Sequence, residues 1–231
     1  QREDYAHPEL LTNGTDWQRE LFSTAFMHNH SVNISGGTDD MNYSISAGYL
    51  NQDGVALGSG FDRMSIRSNF DTKVTKWLQV GTNLYYANTK QLNTFSTGSV
   101  IATALDQFPD VAPRNPDGTY AMPQTNSMST YYTNPIFEAN MRENKDNNYS
   151  VDYNVFANLT PIKGLSIRIE YGGNRGWLNN YFFQPGYTYG TTVVTSQSTR
   201  TKNMSKYTSF KQYATYDFDP CKNNHMAEKD V

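Results

Sequence analysis

Apolar and polar side chains alternate along this chain with a period of two, and the pattern restarts after turn after turn. Tyr43, Ile45, Ala47 and Tyr49 are apolar, and Ser44, Ser46 and Gly48 lie between them. Met64, Ile66 and Phe70 alternate with Ser65, Arg67 and Asn69, and Val151, Tyr153, Val155, Ala157 and Leu159 with Asp152, Asn154 and Asn158. Successive side chains of an extended backbone leave opposite faces, so period two means strands. One face is apolar and aromatic, and the other carries charges and amides. A sheet set between two different solvents has this pattern, which makes a membrane-spanning barrel a candidate.

Composition fits that candidate. Hydrophobic residues make up 37% of the 231, yet aromatics reach 14%, with 17 Tyr. With a mean hydropathy of −0.70, no apolar run approaches the roughly 18 residues of a membrane helix. A barrel strand needs only every second residue to be apolar. The net charge of −3 gives no basis for nucleic-acid binding. Cys221 is the only cysteine and cannot form an internal disulfide. No signal peptide is recognisable, and both ends look cut, as in a piece of a longer exported protein.

The expected organisation is as follows. Residues 1–27 form a linker with a short helix, started by a capping box of Thr15 and Gln18 and packed through Trp17, Leu21 and Phe22. Strands are expected at His28–Gly37, Asn42–Gln52, Arg63–Asp71, Leu78–Asn88, Tyr149–Leu159, Leu165–Gly172 and Tyr207–Phe218. A long connection, Thr89–Asn147, includes a helical stretch at Ser99–Phe108 ended by Pro109, and a turn at Asn115–Gly118. A second long excursion covers Gly173–Lys206, and residues 220–231 form an atypical tail. Turns after the first, third, fifth and seventh strands are short, and connections after the second, fourth and sixth are longer. In an up-and-down sheet this puts short turns on one side and long loops on the other, the asymmetry of outer-membrane barrels. The expected fold class is therefore all-β, an antiparallel sheet of about seven strands forming part of a transmembrane barrel over residues 28–219. The inferred interior carries Arg63, Arg67, Asn69, Asp71, Asn83, Asp152, Asn154, Arg168 and Glu170, which a wet lumen tolerates. Tyr43, Tyr49, Tyr86, Tyr149, Tyr153 and Tyr171 fall on the apolar face.

Several segments, in this order, carry a resemblance: TDWQRELF (15–22), HNHSVNISGG (28–37), YSISAGYLNQDGV (43–55), FDRMSIRSNFDTKVTKWLQVGTNLYYANTK (61–90), NPDGTY (115–120) and NYSVDYNVFANLTPIKGLSIRIEYG (148–172). They resemble the SusC/RagA-type TonB-dependent outer-membrane transporters of Bacteroidetes-like bacteria. The resemblance implies a barrel of about 22 strands, of which this chain supplies the first seven or so, after a plug domain. It also implies import of oligosaccharides, peptides or other bulky nutrients through the outer membrane of a Gram-negative cell. A SusD-like surface lipoprotein would act as lid, and the TonB–ExbB–ExbD system would supply energy through the plug.

Other motifs are weighed against plainer readings. His28 and His30 share a strand face, but no third ligand is identifiable, and four are usual for structural zinc. Asp39/Asp40 and Asp152/Glu170 are carboxylate pairs of the kind glycoside hydrolysis requires. The first pair sits in a turn, and the second has Arg168 nearby, which favours ion pairing. No catalytic residue, cofactor or metal is expected. Tyr131, Tyr132, Trp177, Tyr181, Phe182, Tyr187 and Tyr189 cluster in the two long excursions. Aromatic platforms suit sugar or peptide recognition at an external mouth, and they equally suit packing of the loops. Two rivals remain: a soluble all-β carbohydrate-binding module and an exported β-rich hydrolase.

Overall fold

A computed structural model describes residues 14–93, 100–109, 111–121, 133–189 and 192–217. Nine strands and three short helices lie among them: α1 (Trp17–Leu21), β1 (Met27–Gly37), β2 (Met41–Asp53), β3 (Ser59–Thr75), β4 (Leu78–Asn93), α2 (Val100–Asp106), α3 (Pro135–Met141), β5 (Glu143–Leu159), β6 (Leu165–Gln184), β7 (Tyr187–Tyr189), β8 (Thr192–Val194) and β9 (Gln197–Tyr216). Seven strands make one antiparallel meander in the order β1-β2-β3-β4-β5-β6-β9, and β7 and β8 form a separate hairpin.

The register decides which residues share a face, because directly opposed partners in an antiparallel ladder project to the same side. One row joins Tyr43, Phe70, Thr82, Val155, Tyr171 and Phe210, and another joins Ile34, Ile45, Ser68, Leu84 and Tyr153. Ile66, Tyr86, Val151, Tyr49, Met64 and Tyr149 lie on this same apolar face. All nine residues expected in the interior fall on the opposite, polar face.

No second sheet covers the apolar face among the described residues. Ile45 is 48% exposed, Ile66 42% and Val155 52%. A soluble sandwich would bury these positions. On β4 and β5 the apolar beat lasts 9 and 11 residues, Leu78–Tyr86 and Tyr149–Leu159, which is the length of a membrane-crossing strand.

The strands themselves run much further. β6 and β9 have 20 residues each, or roughly 45–50 Å along the normal at a ~45° tilt, against a hydrocarbon core of ~30 Å. Here the structure corrects the sequence reading. The excursion expected over Gly173–Lys206 is mostly ladder, since β6 continues to Gln184 and β9 begins at Gln197. The first excursion is also shorter than expected, with β4 reaching Asn93 and β5 starting at Glu143. Above the apolar belt the two faces no longer differ, with Trp177 and Tyr181 on one and Leu178 and Phe182 on the other, so the ladder carries on after the alternation that signals it has stopped.

The three short turns, β1–β2, β3–β4 and β5–β6, all lie at one end of the sheet. Gly164 takes φ +86° in the last of them, a backbone conformation that glycine adopts without a Cβ penalty. The other end holds the long β4–β5 and β6–β9 connections, a β2–β3 connection of residues 54–58 that is no longer than the β5–β6 turn, and the one apolar cluster among the described residues, built from Trp17, Leu21, Val100, Ala104, Ile136 and Ala139 of α1, α2 and α3. Trp17 Nε1 donates to the Phe108 carbonyl at 2.9 Å, tying α1 to the end of α2. The helix start departs from the expected capping box. Asp16 is the N-cap and accepts from the Arg19 amide, while the Thr15 amide donates to the Pro109 carbonyl. A carboxylate one residue nearer the helix caps it directly and leaves Thr15 to bridge to the α2 end.

Candidate functional site

Two surfaces carry chemistry: the polar face of the sheet and the assembly at its long-connection end. The polar face is a ladder of amides and paired charges. Gln79 donates to Asp71 at 3.0 Å, Asn158 to Gln79 at 3.3 Å, and Arg168 to Asn158 at 3.1 Å. Arg168 also pairs with Glu170 and lies over the Phe156 ring, 4.2 Å from its centroid. Arg67 sits 4.8 Å from the Tyr85 ring centroid. Nearer the long-connection end, Asn180 donates to Asn144 at 2.9 Å and to Asp146 at 2.8 Å, and Asn93 donates to Asp146 at 2.7 Å. Such side chains hold their geometry in contact with water and would be costly in a dry core.

The carboxylates weighed for hydrolysis have separate partners. Asp152 accepts from Asn174 at 2.6 Å, and Glu170 is taken by Arg168. They behave as structural ion-pair and amide partners rather than as a catalytic pair. His28 packs in a file of rings, 5.2 Å from His30, 5.8 Å from Tyr49 and 5.9 Å from Phe26. Among the described residues no group of three or more potential ligands gathers around a point.

At the long-connection end, Asn134 organises the loops. It is 1% exposed and caps α3 by accepting from the Ile136 amide at 2.9 Å and the Phe137 amide at 3.2 Å. Its own amide donates to the carbonyls of Pro113 at 2.7 Å and Ala121 at 2.9 Å, so segment 113–121 is fastened to α3. Asn134 followed by Pro135 is a helix-start signal legible in the sequence: cap, then a proline with no amide to lose. Phe137 then stacks edge-on against Tyr120 at 5.4 Å and Tyr187 at 4.8 Å, which holds the β7–β8 hairpin to the helices. Buried Glu138 has its carboxyl pushed above the ordinary value by desolvation, with Arg142 opposing the shift. The two form an ion pair at 3.1 Å.

The aromatic residues expected to form one recognition cluster are split. Trp177, Tyr181 and Phe182 lie on β6, not in a loop. Phe182 projects from the polar face. Trp177 pairs with Tyr149 and Met204, and Tyr181 with Lys145 and Arg200, on the apolar side. A strand reverses its side-chain direction at each residue, so neighbours 181 and 182 cannot serve one surface. Tyr187 lies in the helical assembly. Tyr131 and Tyr132 lie outside the described residues, as does the side chain of Tyr189.

The comparisons with known proteins agree with this architecture. No protein-family model matches the chain. TonB-dependent receptor P3 of Formosa agariphila is 32% identical over 213 residues, covering 88% of this chain and 21% of the relative. SusC of Bacteroides thetaiotaomicron is 33% identical over 99 residues, covering 42% of the chain and 10% of SusC. The solved RagAB peptide transporter superposes with a TM-score of 0.76 at 26% identity, over 91% of this chain and 24% of that one. By sequence and by fold, the chain belongs with the SusC/RagA-type TonB-dependent receptors. Proteins of this family are outer-membrane transporters and not enzymes. The chain spans about a fifth of the length of the P3 receptor.

Proposed function

We propose that the full-length protein is an energy-dependent importer of bulky nutrients, oligosaccharides or peptides, in the outer membrane of a Gram-negative cell. The observation that carries this reading is the two-sided sheet: an apolar face about one bilayer tall, backed by a continuous wall of amides and ion pairs. In a closed barrel of this family's size the first face meets lipid and the second lines an aqueous lumen. Residues 28–219 then belong to the barrel. The residues ahead of β1 enter from the long-connection end, since β1 runs from there to the short turns. We therefore read 14–26 as part of the external loop assembly rather than as a direct lead from a plug.

A SusD-like lipoprotein lid and the TonB–ExbB–ExbD system, acting through a plug, are the partners this reading calls for. RagAB is described as a peptide importer and transporter, which makes peptides the first substrate class to test. Of the described aromatics, Phe182 on the polar face and Tyr187 against α3 are the proposed contacts for a solute entering the lumen. Tyr131 and Tyr132 remain proposed contacts.

The test is deletion of the full-length gene and measurement of uptake of defined peptide and oligosaccharide mixtures. Import lost on deletion, restored by the wild-type gene and reduced by Phe182→Ala with Tyr187→Ala, supports the reading. Recovery of the protein in the soluble periplasmic fraction would refute it.

A further inference from the structure

We infer that the apolar-side surface above the hydrophobic belt, on β5, β6 and β9, binds the phosphorylated sugar head group of an outer-leaflet glycolipid. The inference rests on the membrane orientation proposed above.

The register gathers the charges. On the apolar side of β9, Arg200, Lys202 and Lys206 alternate with polar-face residues, and their partners on β6 are Tyr181, Asn179 and Arg175. No Asp or Glu occupies an apolar-side position of either strand. On β5 Lys145 adds a cation, held 2.9 Å from Glu143, the only acid on that side of the strand. Arg175 and Lys206 oppose each other directly, and like charges so opposed weaken a sheet. Arg175 is fixed in place: it donates to the Tyr207 carbonyl at 2.9 Å and lies 5.6 Å from the Tyr153 ring centroid. Lys145, Asn147, Asn179, Asn180, Tyr181, Arg200 and Lys202 line a cleft of about 330 Å³, in which the Arg200 guanidinium sits 5.1 Å from the Tyr181 ring centroid.

Height selects the ligand. Every second residue of a strand tilted by ~45° rises about 5 Å along the membrane normal. The rim of the belt runs through Tyr149, Trp177 and Met204, which pair across β5, β6 and β9, with Arg175 and Lys206 one step below it. Lys202 is then about 5 Å above the rim and Arg200 about 10 Å. A cationic stair beginning where the acyl chains end matches phosphates carried on a sugar head. Trp177, 40% exposed, and Tyr181 supply ring surfaces at the same levels. A further strand beside β9 would cover its edge and leave this face open, because sheet neighbours lie in the plane of the sheet. This places Trp177 and Tyr181 with a lipid rather than with the transported solute.

The test uses the full-length receptor extracted from outer membranes in detergent, with bisphosphorylated lipid A, dephosphorylated lipid A and inorganic phosphate as probes. Bisphosphorylated lipid A is expected to raise the melting temperature, and the other two are not. Arg200→Gln with Lys202→Gln should weaken lipid A binding about thirtyfold, while Lys163→Gln in the short β5–β6 turn leaves it unchanged. Equal shifts with phosphorylated and dephosphorylated lipid in the wild-type protein overturn the inference without any variant. So does an inorganic phosphate shift as large as that of lipid A, or an unaltered double variant. If the receptor fractionates with the outer membrane and lipid A has no effect, this inference alone fails. Recovery in the soluble fraction removes the orientation and the inference together.

Discussion

Arginine placed at Val155 and at Asn154, in separate variants, asks which face of the sheet meets lipid. Val155 lies near the middle of the belt on β5, between Thr82 and Tyr171, and is 52% exposed. An arginine on the lipid side at mid-bilayer depth costs about 2–4 kcal/mol, a shift of roughly 30- to 800-fold in the folding equilibrium. Asn154 is the next residue and projects from the opposite face. An arginine there has Asp152 two residues away on its own strand and Glu170 on β6 within diagonal reach. In a wet lumen its cost should stay within about 0.5 kcal/mol. Guanidinium titration of the full-length protein folded into lipid vesicles, followed by tryptophan fluorescence, measures both. The expected result is a much lower midpoint for Val155→Arg and an unmoved one for Asn154→Arg. Equal losses, or a larger loss at Asn154, would refute the assignment of faces and the importer reading with it.

Three further outcomes test other parts of the structure. Leu21, 1% exposed at the centre of the three-helix cluster, should cost about 2–5 kcal/mol locally when cut to alanine; faster amide exchange in α2 and α3 with the barrel strands unchanged is the signature. A Cβ on Gly81 would run into the Phe156 ring and approach the Phe70 carbonyl to 2.9 Å, so Gly81→Ala should cost about 1–3 kcal/mol, read as a lower melting temperature in detergent. The carboxyl of Glu138 is raised above 4.5 by burial, so the folded state binds the proton more tightly than the unfolded one. Its contribution is therefore most favourable below pH 4.5 and is lost as pH rises through the raised value. Amide exchange of α3 should slow as pH falls across that window once corrected for intrinsic rates, and Glu138→Gln should remove the dependence.

The aromatic residues show how far periodicity carries. Ile45, Ile66, Val155 and Ile167 could be placed on one face from the sequence, because one side of the belt is oil and the other water, and selection writes that contrast at every second residue. The alternation fails after Gly172, where glycines interrupt the apolar beat and Trp177, Leu178, Tyr181 and Phe182 fall on both faces. The sequence pattern therefore puts Trp177, Tyr181 and Phe182 in a loop, although the ladder to β9 runs past them. Asp16 as the cap of α1 and Asn134 as the fastening of segment 113–121 depend on contacts with Arg19, Pro113 and Ala121, although Asn134–Pro135 is itself a local helix-start signal.

By itself the sequence determined the strand faces, the end of the sheet that carries the two longest connections, and the family. Those properties are local or periodic, set by which solvent each side chain meets. Only the tertiary structure decided the true strand lengths, the separation of Tyr181 from Phe182 onto opposite walls, and the gathering of Arg175, Arg200, Lys202 and Lys206 on one surface. These follow from the register between β6 and β9, and register comes from backbone pairing between segments that no single stretch of sequence encodes.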